Sequence, residues 1–155
     1  MKIVEPISRK LISLGKLYLD GLAKNIDHLD INRYYYVLTL ICYHDGKLTQ
    51  KALGDMLGKD KSAMVSIIDT LSQQGFVYRE TNPTDRREHL LKATEKAKEA
   101  VPEIVHAFEA MNNHVTEDIP EEDLQVFHNV LFKMQENLSN FNPDKVRINT
   151  NHNEN

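Results

Sequence analysis

Tryptophan is absent from the chain and cysteine occurs once, at Cys42. A single cysteine excludes an internal disulfide and any zinc site built from several cysteines of one chain. No apolar run approaches the ~20 residues that span a bilayer, and the opening MKIVEPISRK lacks the apolar core of a secretory signal. We therefore expect a cytoplasmic protein with no membrane partner. Catalytic signatures are also missing. There is no nucleophile elbow, no phosphate-binding glycine loop and no carboxylate pair beyond those scattered on solvated helix faces, so neither enzymatic activity nor a cofactor is expected. Seven histidines occur, but His106 and His114 stand eight residues apart rather than the three or four of a helical ligand pair, and no metal site is expected.

A general excess of positive charge is missing too. The chain has 155 residues and a formal net charge of -4, which speaks against a uniformly cationic surface. The charge is distributed unevenly, however. From Lys47 to Lys92 eight Lys and Arg face six Asp and Glu, a net +2, whereas from Ala93 to Asn140 three face ten, a net -7. Such a split leaves one segment locally positive and keeps the remainder soluble. The length suits one domain with a real hydrophobic core, and 27% charged residues is ordinary for a soluble globular protein.

Hydrophobic periodicity orders the chain. From Pro6 to about Asp27, Ile7, Leu11, Leu14, Tyr18 and Leu22 recur every three to four positions, with Ile12, Leu19 and Ile26 widening the stripe into a broad apolar helix face. A second helix is expected after Asp30 as N-cap, running through Tyr34, Leu38 and Ile41 to His44-Asp45-Gly46. Thr49 caps a short helix with Ala52, Leu53, Met56 and Leu57, Gly58 permits a sharp turn, and Asp60 caps a helix whose Met64, Ile67, Ile68 and Leu71 face inward until Gly75. Two short helices about a glycine turn make a helix-turn-helix. Phe76-Val77-Tyr78-Arg79 and Glu88-His89-Leu90-Leu91 then read as two strands around the turn Asn82-Pro83-Thr84-Asp85, forming a wing. Thr94 caps a long helix with Val101, Ile104, Val105, Phe108, Met111 and Val115 on one stripe. Pro102 inside it predicts a kink between about Lys98 and Pro102. Pro120 opens a last helix with Leu124, Phe127, Leu131, Met134 and Leu138.

The expected fold is mainly α (α+β): a winged helix-turn-helix at about 47–93 with a two-stranded wing, flanked by helices at about 5–28 and 94–140. Residues 1–140 form a single domain, and the Asn-rich tail 141–155 is expected to be disordered. The apolar stripes of the first and last helices are too wide for a monomer to cover.

This architecture points to double-stranded DNA. A helix entering the major groove offers its N-terminal residues to base edges. Here these are Lys61, Ser62, Ala63, Val65 and Ser66. Serine hydroxyls serve several bases, whereas Ala63 and Val65 make only apolar contact, most usefully with thymine methyls. Without Arg, Asn or Gln for bidentate readout, direct discrimination by this helix is modest and an AT-rich site is expected. Arg86 and Arg87 on the wing have the reach to enter a narrow minor groove, with Asp85 expected to orient one guanidinium. An exposed ion pair that only holds the turn is the alternative. Lys47, Lys51, Lys59 and Lys61, with Thr49 and Gln50, are placed to touch phosphates, although charges on a solvated face account for each lysine taken singly.

The run LTQKALGDMLGKDKSAMVSIIDTLSQQGFVYRETNPTDRREHLLKATEKAKE, with its Asp85-x-Arg87 wing signature and the Thr-Glu-Lys opening the next helix, resembles the MarR family of transcriptional regulators. The resemblance covers about residues 5–140 in element order and only the central part in motif detail. It implies a homodimer with interlocked terminal helices, presenting two winged helices to a pseudo-palindromic operator as a ligand-responsive repressor. It also implies minor-groove entry by Arg87 and major-groove reading by the second short helix. The chain departs from the pattern at Ser66, where many members carry arginine, and at Ala97, where glycine is common. In this light His28, Tyr34 and Tyr35, with Tyr36, lie near the family's effector crevice. An aromatic or phenolic effector fits there, and core packing accounts for the same tyrosines equally well. Peroxide-sensing relatives place their cysteine in the first helix, whereas Cys42 falls in the second and reads as a small buried hydrophobe. The other functional reading is a winged-helix module that binds a protein partner without useful DNA affinity.

Overall fold

The computed structural model describes residues 4–31, 33–44 and 46–141. They contain helices α1 (Ile7–Asn25), α2 (Tyr35–His44), α3 (Gln50–Leu57) and α4 (Lys61–Gln73), strands β1 (Val77–Thr81) and β2 (His89–Ala93), and helices α5 (Glu95–Val115) and α6 (Glu121–Ser139). The chain divides between Val115 and Thr116 into two compact units, the second of which holds α6. Among the described residues no helix is long and apolar enough to cross a membrane.

The helix-turn-helix follows from local chemistry. The Thr49 hydroxyl accepts from the Ala52 amide at 3.1 Å and the Asp60 carboxylate accepts from the Ala63 amide at 2.8 Å. Each satisfies an amide that the first helical turn leaves unpaired. Between them Gly58 adopts φ 61, a left-handed conformation that glycine takes without a Cβ penalty. Leu53, Met64, Ile68 and Leu71 are fully buried, so α3 and α4 press their apolar faces into one core with Leu22, Ile26, Leu38, Ile41, Phe76, Leu91 and Ile104. Complete burial of such side chains contributes about 1.5–3 kcal/mol each relative to exposure.

The hairpin pairs Val77 with Ala93 through Thr81 with His89 in antiparallel register. It is therefore shifted from the expected 76–79 and 88–91. Phe76 leaves the ladder because its ring is buried and its carbonyl accepts from both the Thr94 amide at 3.0 Å and the Thr94 hydroxyl at 3.1 Å. The same hydroxyl caps α5 through the Ala97 amide at 3.3 Å. The base of the wing is tied to the chain before α3, with the Leu91 amide donating to the Leu48 carbonyl at 2.8 Å.

Two expectations are corrected here. Asp30 does not cap α2. It ends a 3-10 turn at Asp27–Leu29 with φ 50, and α2 begins only at Tyr35. Ile26 and Ile31 are both buried, so the chain between them must fold back on itself, and the Gln74 amide group fixes it by donating to the Asp30 carbonyl at 2.6 Å. In α5 the buried face is Ala97, Ala100, Ile104 and Ala107, while Val105 and Val115 are exposed. Alanines at this spacing let a helix approach its neighbours closely, and α5 packs on α1 and α2. The helix runs unbroken through Pro102. In the second unit Leu124, Leu131 and Met134 of α6 are half-buried, and Phe127 and Leu138 are exposed. Asp45 and the tail beyond Phe141 lie outside the described residues.

Candidate nucleic-acid interface

The buried side of α4 determines what its other side presents. With Met64, Ile67, Ile68 and Leu71 turned inward, Lys61, Ser62, Val65 and Ser66 are exposed, and Ala63 is only half-exposed. Beside this face a groove of about 680 Å³ runs between α3, the start of α4 and the wing. Thr49, Gln50, Lys51, Lys59, Lys61 and Arg87 line it. Six of the thirteen residues expected at DNA therefore line one groove, while Ser62, Val65 and Ser66 stand on the free face of α4.

The wing tip is built by short side-chain-to-backbone bonds. The Asn82 side-chain oxygen accepts from the Thr84 amide at 3.0 Å and from its hydroxyl at 2.8 Å, and the Glu88 amide donates to the Asp85 carbonyl at 3.0 Å. Asp85 does not orient a guanidinium, as the sequence had suggested. Its carboxylate accepts from the Arg87 backbone amide at 2.9 Å, a local Asx-type bond that needs no ordering of a long side chain. Among the described residues neither Arg86 nor Arg87 has an ion-pair partner, and both side chains are exposed, which disposes of an exposed ion pair as the reason for these arginines.

The cations divide by their partners. Lys51 is paired with Asp55 at 2.8 Å, and that hydrogen bond holds its ammonium group above the usual pKa. Among the described residues Lys47, Lys59 and Lys61 carry no such partner. Arg79, which sequence reasoning treated only as a strand residue, joins three elements. Its guanidinium meets Asp69 of α4 at 2.8 Å and donates to the Gln50 side-chain oxygen of α3 at 3.0 Å. Gln50, expected at a phosphate, is thus also engaged within the protein. The signal for Arg79 lay ten residues from Asp69 and twenty-nine from Gln50, where no local pattern reaches.

A second hollow lies among α1, α2 and α5, with a volume of about 310 Å³. Tyr18, Leu22, Arg33, Tyr35, Tyr36 and Phe108 line it, and its wall is mainly apolar. Burial raises the phenol pKa of Tyr18 and of Tyr35, and for Tyr35 the nearby Arg33 opposes that rise. Arg33 itself adopts φ 67 and bonds Asp20 at 2.8 Å. Of the expected effector contacts Tyr35 lines this hollow. Tyr34 packs against the core beside it, and His28 faces Glu103 at 2.9 Å instead. Arg33, Phe108 and Asn112 were missed because they converge only through packing of α2 on α5. Cys42 is half-buried. Among the described residues no group of three or more His, Cys, Asp or Glu is arranged to hold a metal ion.

Comparison with known proteins matches this geometry. Over 73 residues the chain is 34% identical to a protein of Thauera aromatica assigned to transcriptional regulation of the hcr operon, a match covering 47% of this chain and 43% of that relative's length. Among solved structures, MepR from S. aureus in complex with DNA superposes with a TM-score of 0.79 at 18% identity, covering 87% of this chain and 99% of that one. CouR from Rhodococcus jostii RHA1 bound to p-coumaroyl-CoA superposes with a TM-score of 0.70 at 22% identity, covering 84% and 92%. These likenesses bear out the winged-helix fold. The MarR family model matches residues 30–88, from the start of the α2 segment through the wing tip. Over that winged-helix segment the chain is similar to the MarR family, and it spans less than half the length of the curated relative it matches.

Proposed function

We propose that the protein is a sequence-specific DNA-binding transcriptional regulator, a repressor that occupies a pseudo-palindromic operator as a homodimer in the cytoplasm. The observation that carries this reading is the grouping of unpaired Arg87, Lys59 and Lys61 in one groove beside the exposed N-terminal face of α4, with Arg86 exposed next to Arg87 on the wing. Such cations release counterions from phosphates, and a helix flanked by them sits in the major groove with the wing reaching the adjacent minor groove. Thr49, Gln50, Ser62, Ala63, Val65 and Ser66 complete the proposed contact set, with Asp85 holding the backbone that carries Arg87. The role is regulatory rather than enzymatic.

Dimerisation is supported by exposed apolar side chains on the terminal helices. Ile7, Ile12 and Leu17 of α1 and Phe132 and Leu138 of α6 are each more than half exposed. Two copies then present two winged helices to half-sites about one helical turn apart, roughly 34 Å. The hollow beside Tyr35 and Phe108 suits a small aromatic effector, with Tyr18 and Arg33 as its polar handles. Occupancy there alters the packing of α1 and α2 against α5 and so the spacing of the two DNA-binding units.

Retention of sheared genomic DNA on the immobilised full chain, followed by sequencing, tests the reading. A few recurrent fragments sharing an inverted repeat are expected, together with the mass of a dimer by light scattering at micromolar concentration. Uniform recovery of fragments would leave a protein-interaction module as the better account, and a monomer mass would overturn the homodimer.

A further inference from the structure

We propose that the free face of α4 reads thymine through its C5 methyl group, with Val65 as the residue that sets the preference. The inference rests on the DNA-binding reading above and names the base that the site selects. In the major groove the thymine methyl is the one apolar group that projects from a base pair; apart from the small C5–H of cytosine, the other edge groups there are hydrogen-bond donors or acceptors. On the outward face of α4 the first two turns carry two hydroxyls, Ser62 and Ser66, and one apolar side chain, Val65, which is 37% exposed. Hydroxyls accept or donate to several bases and so discriminate weakly. Charged groups that might read bases are directed elsewhere. Lys61 lines the groove on the wing side with Lys59 and Arg87, whereas Ser62, Val65 and Ser66 do not. The Asp69 carboxylate, one turn beyond Val65, is held by Arg79. Gln73, the amide on this helix able to grip adenine with two hydrogen bonds, is its last residue, about 18 Å along the axis from Lys61.

Val65 is also an unusual choice for a solvated helix position. Its branched Cβ lowers helix propensity, and more than a third of its surface stays open to solvent. A bare isopropyl group between two serines, at the place where a major-groove helix meets base edges, is complementary to a methyl group. Burying one methyl against it changes affinity about fourfold, the factor that about 0.8 kcal/mol converts to. In a symmetric dimer the effect occurs once in each half-site.

The test starts from a pool of random-sequence duplexes selected on the full chain. In the selected site each thymine is then replaced by deoxyuridine, which lacks only the methyl group. We expect one thymine per half-site whose replacement weakens binding about fourfold, and we expect Val65→Ala to bind the thymine and uracil sites equally. Val65→Ala folds normally, since the position is exposed and alanine favours helix, and an unchanged melting curve verifies this. Wild-type protein indifferent to every uracil, or a Val65→Ala protein that still discriminates, overturns the proposal while leaving DNA binding intact. A pool that yields no enriched sequence overturns the DNA-binding reading as well, so the two failures are distinct.

Discussion

Arg79 offers the sharpest separation of stability from function. Its guanidinium lies 2.8 Å from Asp69 and 3.0 Å from the Gln50 side chain, with side-chain exposures of 31% for Arg79 and 47% for Asp69. A pair this open to solvent is screened, so Arg79→Met, which keeps the apolar stem, should lower the unfolding free energy by no more than about 1 kcal/mol. Its effect on DNA should be larger. Without Arg79 the half-exposed Asp69 carboxylate of α4 stands uncompensated, and on the proposed DNA-binding reading it faces phosphates. At a separation of about 8 Å and an effective dielectric near 20, one such repulsion is worth about 2 kcal/mol, and salt reduces it to about 1 kcal/mol. Affinity should therefore fall about fivefold to thirtyfold, as measured by fluorescence anisotropy with a selected duplex. Adding Asp69→Asn to the Arg79→Met protein removes the repulsion and should restore most of that loss. Arg79→Met without effect on DNA binding, or a double variant no better than the single one, would refute the reasoning.

Three further outcomes follow from the same geometry. Arg87→Ala should weaken binding to every sequence carrying the site while leaving the melting temperature within about 1 °C, because the Asp85 bond is to the Arg87 backbone and survives the substitution; thermal melts and anisotropy titrations check both halves. Thr49→Ala should cost about 1 kcal/mol through the lost cap on α3, a fall of roughly 2–4 °C in melting temperature by circular dichroism. Burial raises the phenol pKa of Tyr18 and Tyr35 above the usual 10.0, so the stability they contribute is fully present below pH 10.0 and lost as pH rises through the raised folded values. Melting temperature should accordingly drop in that alkaline window, and Tyr35→Phe, which cannot ionise, should drop less.

Much of this molecule was legible before its structure because the deciding interactions are local. Thr49, Asp60 and Thr94 cap the helices that follow them through amides three residues on, a spacing visible in any sequence. The wing hairpin was equally plain, but its register moved because the Phe76 ring belongs to the core and Thr94 claims its carbonyl. Where long-range packing decides, local pattern misled. Asp30 looks like a cap, yet a 3-10 turn and a contact from Gln74 take it elsewhere. The α5 stripe was right at Val101, Ile104, Phe108 and Met111, which lie in or against the core, but it included the exposed Val105 and Val115 and omitted Ala97, Ala100 and Ala107, because large apolar residues were counted and alanines were not. Asp85 beside two arginines suggested an ion pair, and the cheaper bond to a neighbouring backbone amide prevails. Arg79 and Arg33 gained their roles only when separate elements met.

The dependence of DNA affinity on salt tests the central claim most directly, measured side by side for the wild-type chain and an Arg86→Ala, Arg87→Ala double variant on one selected duplex. The wild type should lose affinity linearly in log-log form with a slope of several units, about 0.9 for each phosphate neutralised, and the double variant should show a slope shallower by up to about 2. A flat response in the wild type, or identical slopes in the two proteins, would contradict the assignment of α4 and the wing as the DNA-binding face.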